Sequence, residues 1–426
     1  MSGFPATGTV RRVSFLFRCR LLNPTFKNLP AHTWTQLRAL LDGVPAGRNA
    51  PLDLTIGEPR HPMPAFVTEV LEANSAGYAK YPPIQGTPAW QQAVAGWLER
   101  RYGLEGVDPD RHVLPVAGTR EGLYSIAFVA VPPHKAGQRP AVLMPNPFYQ
   151  CYAAAALSAG ADPLYLPATA ETGFLPDFAS VDEATLARTA LIYLCTPANP
   201  QGTVADQAYF DALIGLCRRH DITLVADECY GEIYVDAPPV GALEACRSMT
   251  RRGLGDPADP YANVLSFQSL SKRSNVPGLR SGFVAGDPRL IAAYRELRSY
   301  GGAPSPLPVY AAAAAAWSDE AHVEENRVLY RAKFDAADRI LEGRFGTYRP
   351  GGGFYLWLDV GDGEAAARAL WEKAGVRVLP GAYLARPDAS GYNPGAAYIR
   401  VALVNSLEVT ELALQSIRDT LDGAAR

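Results

Sequence analysis

Ser269-Leu270-Ser271-Lys272-Arg273-Ser274-Asn275-Val276-Pro277-Gly278-Leu279-Arg280-Ser281-Gly282 is the stretch from which the rest of the chain is read. An apolar run, Val264–Phe267, leads into it, and a second, Gly282–Ala285, leads out. The polar cluster therefore lies between the end of one buried strand and the start of the next. An exposed lysine has a pKa near about 10.4 and is a poor nucleophile. Burial and a nearby cation lower that value and free the amine for Schiff-base chemistry. Lys272 stands eight residues before Arg280, which supplies such a cation. Arg280 and the Ser269 hydroxyl also suit a phosphate dianion.

The same layout recurs at four other apolar runs: Val113–Ala117, Ala141–Met144, Leu191–Cys195 and Thr223–Ala226. After the first comes Gly118-Thr119-Arg120-Glu121, a glycine turn opening a helix, where free backbone N–H groups favour an anion. After the second comes Pro145-Asn146-Pro147-Phe148-Tyr149, where an aromatic in a stiffened turn serves either core packing or stacking on a flat ring. After the third, Asn199-Pro200 is a turn whose amide can reach a ligand oxygen. After the fourth come Asp227 and Tyr230. A carboxylate closing an apolar strand needs a partner, either a salt-bridging cation or a protonated ring nitrogen. Any one of these is ordinary. Five strand ends supplying an amine, a guanidinium, an aromatic face, an amide and a carboxylate describe a cradle for a phosphorylated pyridine aldehyde.

Composition narrows the remaining classes. The chain has 426 residues, 48% hydrophobic and 19% charged, which is globular. At a net charge of −3 it lacks a nucleic-acid footprint, and no nucleic-acid or membrane partner is expected. The apolar stretches around Tyr152–Ala161 and Val309–Trp317 are too short to span a bilayer. Six cysteines without a C-x-x-C pair, and six histidines without H-E-x-x-H, argue against a disulfide framework and a metal site. A cytoplasmic location follows as the expectation. Only Lys27, Lys80, Lys135, Lys272, Lys333 and Lys373 can supply an amine, and Lys272 alone stands at such a strand end.

Helical patterns at Thr87–Tyr102, Arg120–Val131, Gln150–Ala159 and Gln207–His220 alternate with the strands, which predicts a mainly parallel sheet covered on both faces. Ligands in such sheets sit beyond the carboxyl ends of the strands. After Pro308 the texture changes to a long helical region, Val309–Gly343, a Gly351–Gly353 turn, an alternating strand Phe354–Val360 and a helix Glu364–Ala374. The expected division is a flexible extension over 1–22, rich in arginine and without acidic residues, then a segment over 23–59 joining the smaller domain. A large cofactor domain over 60–308 and a small α/β domain over 309–426 complete it. Too few residues precede this core for a helix-turn-helix module.

From about Leu52 to Arg400 the chain resembles the fold-type-I pyridoxal-phosphate enzymes, specifically the class I/II aminotransferases. The resemblance rests on the Ser269–Arg280 motif, on Asn199-Pro200 with Gly202, on Asp227 with Tyr230, and on Arg400 in Tyr398-Ile399-Arg400-Val401. It implies a large domain with a mainly parallel seven-stranded sheet between helices, plus a smaller α/β domain. It also implies that pyridoxal 5'-phosphate is carried on Lys272 as a Schiff base and that Asp227 pairs with the ring nitrogen. Asn199 and Tyr230 would meet the ring hydroxyl, and Tyr149 would stack on the ring. Thr119, Arg120, Ser269 and Arg280 would hold the phosphate, the first two by backbone N–H groups. Tyr81 would reach a neighbouring subunit's phosphate, which implies a homodimer with shared active sites. Gly57 and Arg400 would take the substrate, Arg400 by its α-carboxylate. Within the class, Leu270–Asp287, Ala316–Val323 and Pro145–Gln150 look most like N-succinyldiaminopimelate aminotransferase of lysine biosynthesis, with glutamate and 2-oxoglutarate as partner pair. Aspartate, alanine and aromatic aminotransferases and β-lyases are the alternatives. For an acidic distal group of the substrate, Arg60, Lys80, Arg273 and Arg298 are candidates.

Overall fold

Short apolar runs punctuated by glycine, proline and asparagine become strands, and the longer amphipathic runs between them become helices. The protein is described here by a computed structural model that covers Asn23, residues 29–30 and residues 32–423. The basic extension over 1–22 lies outside the described residues. A short strand, β1 (Leu52–Asp53), precedes β2 (Val113–Val116), β3 (Ala141–Asn146), β4 (Asp162–Pro167), β5 (Thr189–Cys195), β6 (Thr223–Asp227), β7 (Val264–Ser269) and β8 (Gly282–Gly286). The last seven form one sheet in the order β2-β8-β7-β6-β5-β3-β4. The pairs from β7 through β4 are parallel, whereas β8 runs antiparallel to both its neighbours.

Alternation along each central strand feeds two cores. In β5, Ile192 and Leu194 join the cluster under helices 88–102, 207–219, 242–251 and 307–318. Leu191 and Tyr193 face the opposite cluster, under helices 119–125, 150–158 and 288–300. Strand β4 was not foreseen. Its run carries Pro163 and Pro167, which cost ladder donors and are tolerated because β4 is the sheet's edge.

The helical region after Pro308 is two helices, Leu307–Ser318 and Ala321–Leu341. The break falls where the Asp319 carboxylate accepts a hydrogen bond from the His322 N–H. The first helix buries Tyr310, Ala313 and Trp317 in the large sheet's core, and the second buries Phe334, Ala337 and Leu341 in a third cluster. That cluster underlies β9 (Tyr355–Asp359), β10 (Val376–Arg377), β11 (Leu379–Pro380) and β12 (Tyr398–Ala402). Strands β11, β12 and β9 form an antiparallel sheet, and β1 pairs in parallel with β10. Leu54 packs into the same cluster, which brings the segment after β1 beside β12.

Candidate active site

The carboxyl ends of β2, β3, β5, β6 and β7 open toward the segment 54–61 and toward β12. Lys272 lies in a four-residue helix capped by Ser269, whose Oγ accepts from the Ser271 N–H at 3.1 Å. Its Nζ donates to the Gly57 carbonyl and lies 5.3 Å from the Phe354 ring centroid and 6.0 Å from that of Tyr230. Burial pulls the amine down to about 8, and the guanidinium groups of Arg400 and Arg120 push the same way, against Cys229 and Glu58.

Asp227 ends β6 almost completely buried. Its Oδ2 accepts the Tyr152 hydroxyl at 2.6 Å and its Oδ1 the Cys229 N–H at 3.4 Å. Burial raises its pKa, while the Tyr152 and Cys229 hydrogen bonds hold it back. Among the described residues it makes no ion pair, so the salt-bridge alternative has no partner here. Tyr152 stacks on Tyr193 at 4.5 Å, with Tyr149 edge-on at 5.6 Å. Arg120 Nε donates to the Tyr149 hydroxyl.

Gly118 has φ +78°, and a Cβ there would lie 2.1 Å from Arg280 Nη2. Arg280 is laid across this glycine turn by hydrogen bonds to the carbonyls of Ala117, at 3.0 Å, and Pro277, at 2.8 Å. The turn's N–H groups, the Ser269 hydroxyl and an exposed guanidinium thus share one corner. Thr119 opens the following helix at the same corner.

On the opposite wall Arg400 is buried; Nη1 donates to Asn199 Oδ1 at 2.9 Å, Nη2 to the Thr55 carbonyl at 2.7 Å, and Nε has no partner. Its guanidinium lies 4.4 Å over the Tyr355 ring. The Tyr355 hydroxyl is 3.1 Å from that of Tyr230, and a Cβ on Gly57 would come within 1.7 Å of it. Tyr81 stands apart, fully exposed on this chain.

The whole arrangement is matched by the family model for aminotransferase class I and II over residues 50–415. The chain belongs to the class I and II aminotransferases. An LL-diaminopimelate aminotransferase of Desulforudis audaxviator is 31% identical over 93% of this chain and 96% of its own. A crystal structure of an aminotransferase from Neisseria meningitidis superposes with TM-score 0.87 at 41% identity, covering 93% of this chain and 99% of the other. A probable N-succinyldiaminopimelate aminotransferase from Thermus thermophilus gives TM-score 0.78 at 25% identity, over 91% and 100%.

The cofactor of this class is pyridoxal 5'-phosphate, and the aminotransferase's residues fit it. A buried carboxylate without a cation suits a protonated ring nitrogen, the Gly118 corner suits a phosphate, and a desolvated amine lies between them. The sequence reading missed Tyr152 and Tyr355. Tyr152 is one helical turn beyond Tyr149, a spacing that puts both on one side of their helix. Tyr355 follows three glycines, which read only as a turn. Two of the four distal-group candidates are committed elsewhere. Arg273, 1% exposed, serves the Ala316 and Asp319 carbonyls and Glu320, between the rings of Trp97 and Trp317. Arg298 is buried against Glu121, whose Oε2 also accepts the Ala117 N–H at 3.1 Å. Arg60 is exposed and donates to Asn405, and Lys80 is exposed.

Proposed function

We propose that this aminotransferase transfers an amino group between a diaminopimelate-type donor, in its N-succinylated form, and 2-oxoglutarate. The supporting observation is a pair of guanidinium groups, Arg400 and Arg120, that both act on the Lys272 amine. Such a pair suits a substrate with a carboxylate at each end. The names of the relatives add diaminopimelate, and the free LL form is the second reading because it is what the Desulforudis protein is named for.

In this reading Arg400 grips the α-carboxylate, its unpartnered Nε turned from orphan to donor. When bound, pyridoxal 5'-phosphate supplies the electron sink that makes the α-proton of an amino acid acidic. Lys272 Nζ takes that proton as general base and returns it one atom away. Asp227 holds the ring nitrogen, Asn199 and Tyr230 the ring hydroxyl, and Tyr149 the ring face. The Gly118–Arg120 N–H groups, Ser269 and Arg280 hold the phosphate. Tyr81 of a second copy completes the site, in a cytoplasmic homodimer. The division into a cofactor domain over 60–308 and a smaller domain built from 23–59 and 309–426 belongs to the same proposal.

The test is a panel of amino donors with 2-oxoglutarate as acceptor. The N-succinylated donor should exceed aspartate, alanine, aromatic amino acids and cystathionine in kcat/KM by about a hundredfold, the scale set by leaving a buried ionic partner unmet. Preference for free LL-diaminopimelate selects the second reading, and preference for aspartate or cystathionine overturns both. Lys272→Ala should eliminate steady-state transamination with every donor.

A further inference from the structure

Behind Lys272 lies a buried polar chain that the chemistry above leaves unused. Lys333 Nζ is 2.6 Å from His61 Nε2 and donates to the Leu403 carbonyl at 3.1 Å. His61 Nδ1 is 2.7 Å from Asn326 Oδ1. Asn275 Nδ2 donates to the same oxygen at 3.1 Å, and Asn326 Nδ2 donates to the main-chain carbonyl of Lys272 at 3.4 Å.

The donors and acceptors of this chain run one way only. Asn326 Oδ1 already accepts from Asn275, so His61 Nδ1 carries a proton and donates to it. His61 Nε2 then faces Lys333, which donates to it. Every member is satisfied, with the His61 ring packed 4.4 Å from that of Tyr330.

The connectivity is what matters for the site. Lys272 is held at both ends by one segment: its Nζ by the Gly57 carbonyl, its own carbonyl through Asn326 by His61. The far end of the chain, Lys333, grips Leu403, just past the strand that bears Arg400. Arg400 in turn donates to Thr55, back in the segment that leads to His61.

We propose that His61 is a positioning residue for transamination, fixing the Lys272 amine relative to the Arg400 guanidinium through Asn326 on one side and Lys333 on the other. This rests on the roles given above to Lys272 and Arg400. His61→Ala should lower kcat about tenfold with KM for the amino donor nearly unchanged, since small misplacement of reacting groups costs rate steeply. The visible-absorbance titration of the cofactor-loaded enzyme should shift its midpoint in the same variant. His61→Gln, which keeps one donor and one acceptor, should regain most of both. Asn326→Asp, which keeps the acceptor for His61 but loses the donor to Lys272, should reproduce the alanine phenotype and serves where His61→Ala does not fold. Wild-type kcat and titration in Asn326→Asp, or a fall in melting temperature that leaves both unchanged in folded His61→Ala, overturns the proposal. Failure of the roles of Lys272 and Arg400 shows separately, as activity surviving in Lys272→Ala.

Discussion

Gly57 shows how tightly single residues are fitted here. A methyl group at that position would fall on the Tyr355 hydroxyl, which touches Tyr230, and the Tyr355 ring lies under Arg400. Gly57→Ala should therefore cut kcat/KM about tenfold or more by displacing the substrate-facing wall, as steady-state kinetics would show. Lys272 gives a pH prediction. Its amine, lowered to about 8 chiefly by burial, is charged below that pH and free above it. Attachment of pyridoxal 5'-phosphate to the cofactor-free enzyme should accelerate as pH rises and level off above about 8, measured by stopped-flow absorbance. An ordinary lysine would keep accelerating toward about 10.4. At this scale the sequence was most informative where a polar residue interrupts an apolar run, as at Asp227 and Lys272. It was silent on Tyr152 and Tyr355, because a tyrosine in an apolar helix or strand looks like core until its hydroxyl's partner is known.

Among the elements, the turn from β2 into its helix is the most constrained. Its glycine adopts positive φ and is overlaid by Arg280 from beyond β7. Gly118→Ala should cost about 1–3 kcal/mol in backbone strain and push Arg280 off the corner, so cofactor Kd should rise at least about tenfold by equilibrium dialysis. The strand ends were legible because apolar runs mark them, whereas β4 was not, because its prolines belong to an edge that only the finished sheet defines. The break at Asp319 was hidden by the helical pattern on both sides of it. Arg273 and Arg298 read as possible ligands for the same kind of reason, since only packing reveals Glu320 and Glu121 as their partners.

For the whole molecule, the fully exposed Tyr81 gives the assembly prediction. Sedimentation should find a dimer of twice the 45.8 kDa chain mass, and Tyr81→Ala should weaken cofactor retention without dissociating it. The sheet order carries one more consequence, for the ribosome. Strand β2 is joined to the sheet through β8 alone, and Arg280 meets Ala117 across 163 residues of chain. The phosphate corner therefore does not exist on a nascent chain until β8 has emerged from the exit tunnel. A polypeptide stalled before that point carries the Gly118 turn without its guanidinium, and vitamin B6 loading becomes a late event in synthesis.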